Sequence, residues 1–217
     1  MGDTLIHIHI KRTGGTTLQY TLEKYVGAVA RVHTVAGLGN IFPYSFVMVQ
    51  GHFCWGVHKV MGVPSPRYFT FMRHPVERVL SVLGSNPMMS EYRYLAEKIE
   101  TGGAFKEIYS SVVQLAGVND FDNWRGTPAS PELLEVAKQH LREMEFVGFT
   151  KHYRKSIDAM CQKYGWDIPE LVTGNRATYP IPTPDEESNL YKAIAQRYPY
   201  ACELYQWAES EFLGKII

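Results

Sequence analysis

The chain has no excess charge of either sign: 22 Lys and Arg stand against 22 Asp and Glu in 217 residues. A surface that holds nucleic acid needs a basic field, so that class is excluded as a global property and any anion site must be local. Cysteine is scarce as well. Cys54, Cys161 and Cys202 are odd in number, far apart and without ligand-like spacing, which argues against a disulfide framework or a zinc site. No stretch approaches the roughly 20 apolar residues that a membrane-spanning helix requires. The opening MGDTLIHIHI has no basic region followed by a long apolar run, so a soluble, cytoplasmic protein is expected. No internal repeat or low-complexity tract occurs. What is plentiful is core material, at 45% hydrophobic and 13% aromatic residues, enough for one globular domain.

The stretch that organises the rest is 5–26, LIHIHIKRTGGTTLQYTLEKYV. Ile6, Ile8 and Ile10 alternate with His7 and His9, as in a pleated strand with the two histidines lining one face. The turn Lys11-Arg12-Thr13-Gly14-Gly15-Thr16 breaks that pattern, and Leu18, Leu22, Tyr25 and Val26 then fall on one helical stripe. A strand that feeds a helix through a glycine turn aims unpaired N–H groups at one point beside the positive end of the helix dipole, which is an anion site. Gly14 and Gly15 remove Cβ atoms, Thr16 and Thr17 add hydroxyls, and Lys11 and Arg12 add full charge. The basic residues precede the glycines, unlike G-x-x-x-x-G-K-[ST], so a GTPase or ATPase is a poor fit.

Further along, 28–33 and 46–50 (FVMVQ) read as strands, and Gly51-His52-Phe53 places His52 at the carboxyl end of the second. Ligands of open α/β sheets gather outside such ends. YFTFM at 68–72 is another strand, running into Arg73 and His74, with Pro75 starting the helix PVERVLSVL. Arg12, His52 and Arg73 thus follow three strands. Ser130-Pro131 predicts the N-cap and first residue of a helix through Glu143 that buries Leu134, Ala137 and Leu141. EFVGFT reads as a strand, and KHYRKSIDAMCQKYG as a helix stopped by Gly165. Thr183-Pro184-Asp185-Glu186 predicts a capping box with proline at the first helical position, opening the first of two helices divided near Pro199. Strands alternating with helices give an α/β fold of three layers, a central parallel sheet flanked by helices.

On these residues the chain resembles the sulfotransferase family that uses 3′-phosphoadenosine 5′-phosphosulfate (PAPS), in the style of the carbohydrate 2-O-sulfotransferase-like branch and its bacterial relatives. The family's P-K-T-G-G-T-like loop is matched by Lys11-Arg12-Thr13-Gly14-Gly15-Thr16, and its G-H-F/V element by Gly51-His52-Phe53. Its second signature, R-[DH]-P-V-E-R-x-x-S, is matched by the block from Arg73 through His74, Pro75, Glu77 and Arg78 to Ser81. QLAG near Gln114, FVGFTKHYRKSI and ELYQWAESEF are looser matches, so the resemblance spans nearly the whole chain.

The resemblance implies a single sulfotransferase-like domain over 1–217 with a P-loop-NTPase-like nucleotide-binding core; residues 84–130, with helical periodicity in MMSEYRYLAEKIE and AFKEIYSSVVQLAG, are expected as an acceptor-side helical and loop insertion whose aromatic and amphipathic residues both line an acceptor pocket and cap the core. It implies sulfuryl transfer from PAPS to a hydroxyl of a carbohydrate or other small molecule, leaving 3′-phosphoadenosine 5′-phosphate (PAP). Residues 11–17 would hold the 5′-phosphosulfate, Arg73 and Ser81 the 3′-phosphate, and Asn175 and Arg176 would close over the nucleotide. Arg12 stands where the family has lysine; it keeps the charge but cannot give up a proton. His52 is the candidate general base, since imidazole ordinarily titrates near about 6.5; His58 is the alternative. His74, Glu77 and Arg78 are expected to be structural, and no metal is called for. Two rivals stay open: a P-loop-like kinase, which needs a lysine after the glycines and carboxylates for Mg²⁺, and a non-catalytic nucleotide-binding module.

Overall fold

The computed structural model describes residues 4–26, 29–32, 48–85, 110–118, 124–168, 170 and 181–217. Five strands, β1 (Thr4–Ile8), β2 (Val29–Val32), β3 (Met48–Gly51), β4 (Pro66–Met72) and β5 (Phe146–Phe149), form one sheet in the order β2-β3-β1-β4-β5. Every pairing is parallel. Parallel neighbours need long crossovers; among the described residues α1 (Gly15–Val26), α2 (His58–Met61), α3 (Pro75–Leu83), α4 (Ser111–Ala116) and α5 (Pro131–Glu143) lie between strands, and α6 (Tyr153–Tyr164), α7 (Asn189–Arg197) and α8 (Pro199–Phe212) follow β5.

The alternation in the first strand decides the layers. Ile6, Ile8 and Ile10 lie on one face with Val49, Met72 and Phe149, packed against Leu115 of α4, Leu141 of α5 and Leu204 of α8. Leu5, Met48, Phe69 and Phe71 lie on the other, packed against Leu18 and Leu22 of α1 and Ile157 and Met160 of α6. The sheet is therefore the middle of three layers, as expected. Each fully buried Leu, Ile or Phe contributes about 1.5–3 kcal/mol, so the two interfaces hold the strands in register. A smaller cluster joins Val76, Val79, Leu80 and Leu83 of α3 to Ile194 of α7.

Local signals are met at several ends. Ser130 Oγ accepts from Leu133 N–H, with Pro131 in the first turn of α5 and Leu134, Ala137 and Leu141 buried. Gly165 ends α6 in the left-handed region at φ 68°. The expected capping box at Thr183 is not the helix start: α7 is capped by Ser188, whose side chain accepts from Tyr191 N–H. Residues 185–189 are Asp, Glu, Glu, Ser and Asn, so an earlier turn would bury nothing, and packing rather than capping sets where a helix begins. α6 likewise begins at Tyr153 instead of 151, after a 3₁₀ turn over Thr150–His152. β4 begins two residues before 68 because Pro66 still pairs with Thr4.

In 84–130 the described helix α4 is buried throughout and belongs to the core. Residues 86–109 and 119–123 lie outside the described residues. The cysteines are free, Cys54 and Cys161 being buried. No helix among the described residues is long and apolar enough to cross a membrane.

Candidate functional site

The sheet order brings β3, β1 and β4 side by side, so the segments after their carboxyl ends are neighbours. From β1 the chain leaves through α1 on one face towards β2, at one edge. From β4 it continues through α4 and α5 on the opposite face towards β5, at the other edge. The crevice between β1 and β4 is thus a topological switch point, the place where open α/β sheets receive ligands.

The turn after β1 is tightly made. Thr13 Oγ1 donates to Ile10 O at 2.7 Å and Thr13 N–H to the same carbonyl at 3.3 Å, so the buried threonine serves the turn itself. Arg12 sits at φ 70°, left-handed territory that a side-chain-bearing residue occupies at some cost. Gly14 follows at φ 83°, where a Cβ would meet the Tyr153 ring at 2.8 Å. Tyr153 also donates its hydroxyl to Gly14 O at 3.1 Å. At Gly15 a Cβ would fall 2.3 Å from His9 Nε2, so only glycine lets the helix start over that ring. The bond from Leu18 N–H to Gly14 O opens the helical ladder, and the Gly15, Thr16 and Thr17 N–H groups precede it.

Beneath the turn lies a buried chain of polar groups. His7 and Gln50 are direct cross-strand partners. His7 Nδ1 donates to Gln50 Oε1 at 2.8 Å, and Gln50 Nε2 donates to Gly15 O at 3.2 Å. Burial pulls the His7 pKa down to about 3 against the raising effect of that bond, so the ring is neutral and stacks on Phe69 at 4.6 Å.

The second junction meets the first. Arg12 Nε donates to Ser81 Oγ at 3.0 Å, across 69 residues of sequence. Arg73 Nη1 approaches Arg12 O at 3.4 Å while its Nε pairs with Glu77 at 3.3 Å. Burial, and after it the Arg73 charge, lower the Arg12 pKa from its ordinary value. Two guanidinium groups are therefore held near each other, with one carboxylate, Glu77, paired to Arg73, an arrangement that favours an added anion. Lys11, Thr16 and Thr17 are partly exposed along the same turn.

His52 follows β3 and meets the first turn through His9. Its Nδ1 donates to His9 O at 2.8 Å, which fixes the tautomer and leaves the lone pair of the neutral ring on Nε2. The His52 ring stacks on His9 at 4.5 Å. His58 is placed otherwise: it bonds the Tyr68 hydroxyl at 2.8 Å, and Tyr68 pairs with Ile6 within the sheet rather than beyond its carboxyl end. Burial, then Lys59, lower the His58 pKa. His74 is the N-cap residue of α3, without a side-chain cap bond, and contacts the Tyr191 hydroxyl at 3.3 Å; Arg78 is buried. Asn175 and Arg176 lie outside the described residues.

Sequence reasoning missed the groups that brace the site: Tyr153 over Gly14, Gln50 under Gly15, and Gln114, which reaches the His9 and Phe53 carbonyls. A polar residue inside the otherwise apolar run VVQLA was the available signal for Gln114, because a buried amide must find partners. No protein-family model matches the chain, and no curated protein matches it.

Proposed function

We propose that the crevice between β1 and β4 binds PAPS in a P-loop-like core and that the protein transfers its sulfuryl group to an acceptor hydroxyl of a carbohydrate or other small molecule. The observation that carries this reading is the meeting of Arg12, Ser81 and Arg73: two cations and a hydroxyl from separate strand-to-helix junctions converge beside the start of α1. A doubly phosphorylated nucleotide suits that set, with the Gly15, Thr16 and Thr17 end taking the 5′ side and Arg73 with Ser81 the 3′-phosphate.

PAPS, when bound, supplies a sulfuryl group carried on a phosphate leaving group. The chain's residues then have distinct tasks. His52 takes the acceptor proton on Nε2 as the acceptor oxygen bonds to sulfur and the bond between sulfur and the bridging oxygen breaks. Arg12 and the loop N–H groups hold the charge that returns to the departing phosphate. Each such donor is worth about 2.7–4 kcal/mol of barrier, and general-base assistance about 10²–10⁴-fold in rate. The Arg12 guanidinium acts by charge and hydrogen bonding, not by giving a proton. That same property suits a non-catalytic nucleotide-binding module, which turnover separates from an enzyme.

Calorimetry with PAP, followed by labelled PAPS against a panel of hydroxylated acceptors, tests the reading. Uptake of PAP and label transfer are expected, with His52→Ala losing about 10²–10⁴-fold in turnover while PAP affinity stays within twofold. Absence of PAP uptake by the intact chain would sink the proposal; uptake without transfer to any acceptor would favour the binding module.

A further inference from the structure

We infer that Gln114 is the positioning residue of His52, holding its tautomer and ring direction through the His9 carbonyl. This rests on the reading of His52 as base, but its structural content stands without substrate. Gln114 lies in α4, is fully buried, and is surrounded in sequence by Val112, Val113, Leu115 and Ala116. Its Nε2 donates to His9 O at 3.1 Å and to Phe53 O at 3.0 Å. The first of these carbonyls is the one that accepts His52 Nδ1 at 2.8 Å, and the second belongs to the residue that follows His52. One amide therefore ties down both the acceptor of the His52 bond and the backbone beside His52.

The donor character is what the site uses. Both neighbours are carbonyls, so the terminal atom between them must be the NH₂ group. Oε1 is buried without a hydrogen-bond partner among the described residues, a cost that a hydrophobic side chain of similar volume would avoid. A glutamine kept there only to fill space is therefore a poor solution, and two satisfied N–H donors account for it. The arrangement also reaches the anion turn, because the His9 ring lies between His52, at 4.5 Å, and the start of α1 at Gly15. A displaced His9 carbonyl would turn the His52 ring, while the turn itself keeps its own bonds from Thr13 to Ile10 O and from Tyr153 to Gly14 O.

The test is ¹⁵N NMR of the His52 ring in the wild-type chain and in Gln114→Met, which keeps the volume and removes the donors. The wild type should show the Nδ1-protonated tautomer, and Gln114→Met a mixture of tautomers with unchanged folding. An unaltered His52 tautomer in folded Gln114→Met overturns the inference, whether or not the wild type transfers sulfate. Where transfer is measurable, kcat should fall roughly 10–100-fold with PAP affinity and acceptor KM nearly constant; a purely packing role predicts no such split and would overturn it. If Gln114→Met does not fold, hydrogen exchange in the wild type decides: slow exchange of the Gln114 amide and the His52 Nδ1 proton supports the inference, and exchange as fast as at surface groups refutes it.

Discussion

The two strand-to-helix junctions that meet at the crevice are built on opposite plans. After β1 the turn is made of backbone: a left-handed Arg12, a left-handed Gly14, and a helix whose first turn carries no acidic residue. After β4 the turn is made of side chains. Pro75 occupies the first turn of α3 and has no N–H to offer, Glu77 stands in that same turn, and the cation and hydroxyl are supplied by Arg73 and Ser81. A main-chain cradle holds an anion closely and in one orientation, because its donors are fixed by the helix. A side-chain grip tolerates more variation and is tempered here by its own carboxylate. Under the proposed activity, the first junction would hold the reacting phosphosulfate and the second a phosphate that only needs to be recognised.

Four measurements would break or sharpen that contrast. Arg12→Ala should have the largest effect, about 10²–10³-fold in turnover under the proposed activity, because charge is stabilised only where it develops. An effect as small as that of Arg73→Ala would erase the distinction. Arg73→Ala should weaken binding of PAP by about 10–100-fold, as expected for loss of a charged hydrogen bond, and binding of its 3′-dephosphorylated analogue far less. Equal losses for the two nucleotides would remove Arg73 from 3′-phosphate recognition.

The third measurement concerns pH and bears on the first junction alone. The His7 pKa is depressed in the fold to about 3, whereas the unfolded chain takes up the proton near the ordinary value of 6.5. The unfolded state therefore binds more protons between those values, and stability must fall as pH drops through that window. At pH 5 the loss relative to pH 7.5 is about 2 kcal/mol for this group, read as a lowered urea midpoint that His7→Gln should largely abolish. An identical pH slope in that variant would mean that other groups carry it. The smallest effect belongs to Glu77→Gln, which frees Arg73 from a partly exposed pair and should tighten PAP binding by roughly two- to fivefold. Weaker binding would show that Glu77 positions Arg73 rather than competes for it.

Sequence by itself determined the pieces whose causes are local. Alternation of Ile with His made a strand, the 3.6-residue stripe of Leu18 and Leu22 made a helix, and Ser130-Pro131 and Gly165 set helix ends, because each depends only on neighbours a few residues away. Thr183 failed as a helix start for a non-local reason: capping chemistry was present, but the apolar face that packs on α3 begins only at Leu190. The motif residues Arg12, His52, Arg73 and Ser81 were likewise legible one by one. The meeting of Arg12, Arg73 and Ser81, and that of His52 with His9, was decided by the sheet order β2-β3-β1-β4-β5, which no local pattern encodes, since strand neighbours are chosen by which faces bury best against α1, α6, α4, α5 and α8. The bracing by Gln50, Gln114 and Tyr153 follows from that same packing: a buried donor takes whichever carbonyl or amide the tertiary fold brings within 3 Å or so, and spacing along the chain carries no record of it.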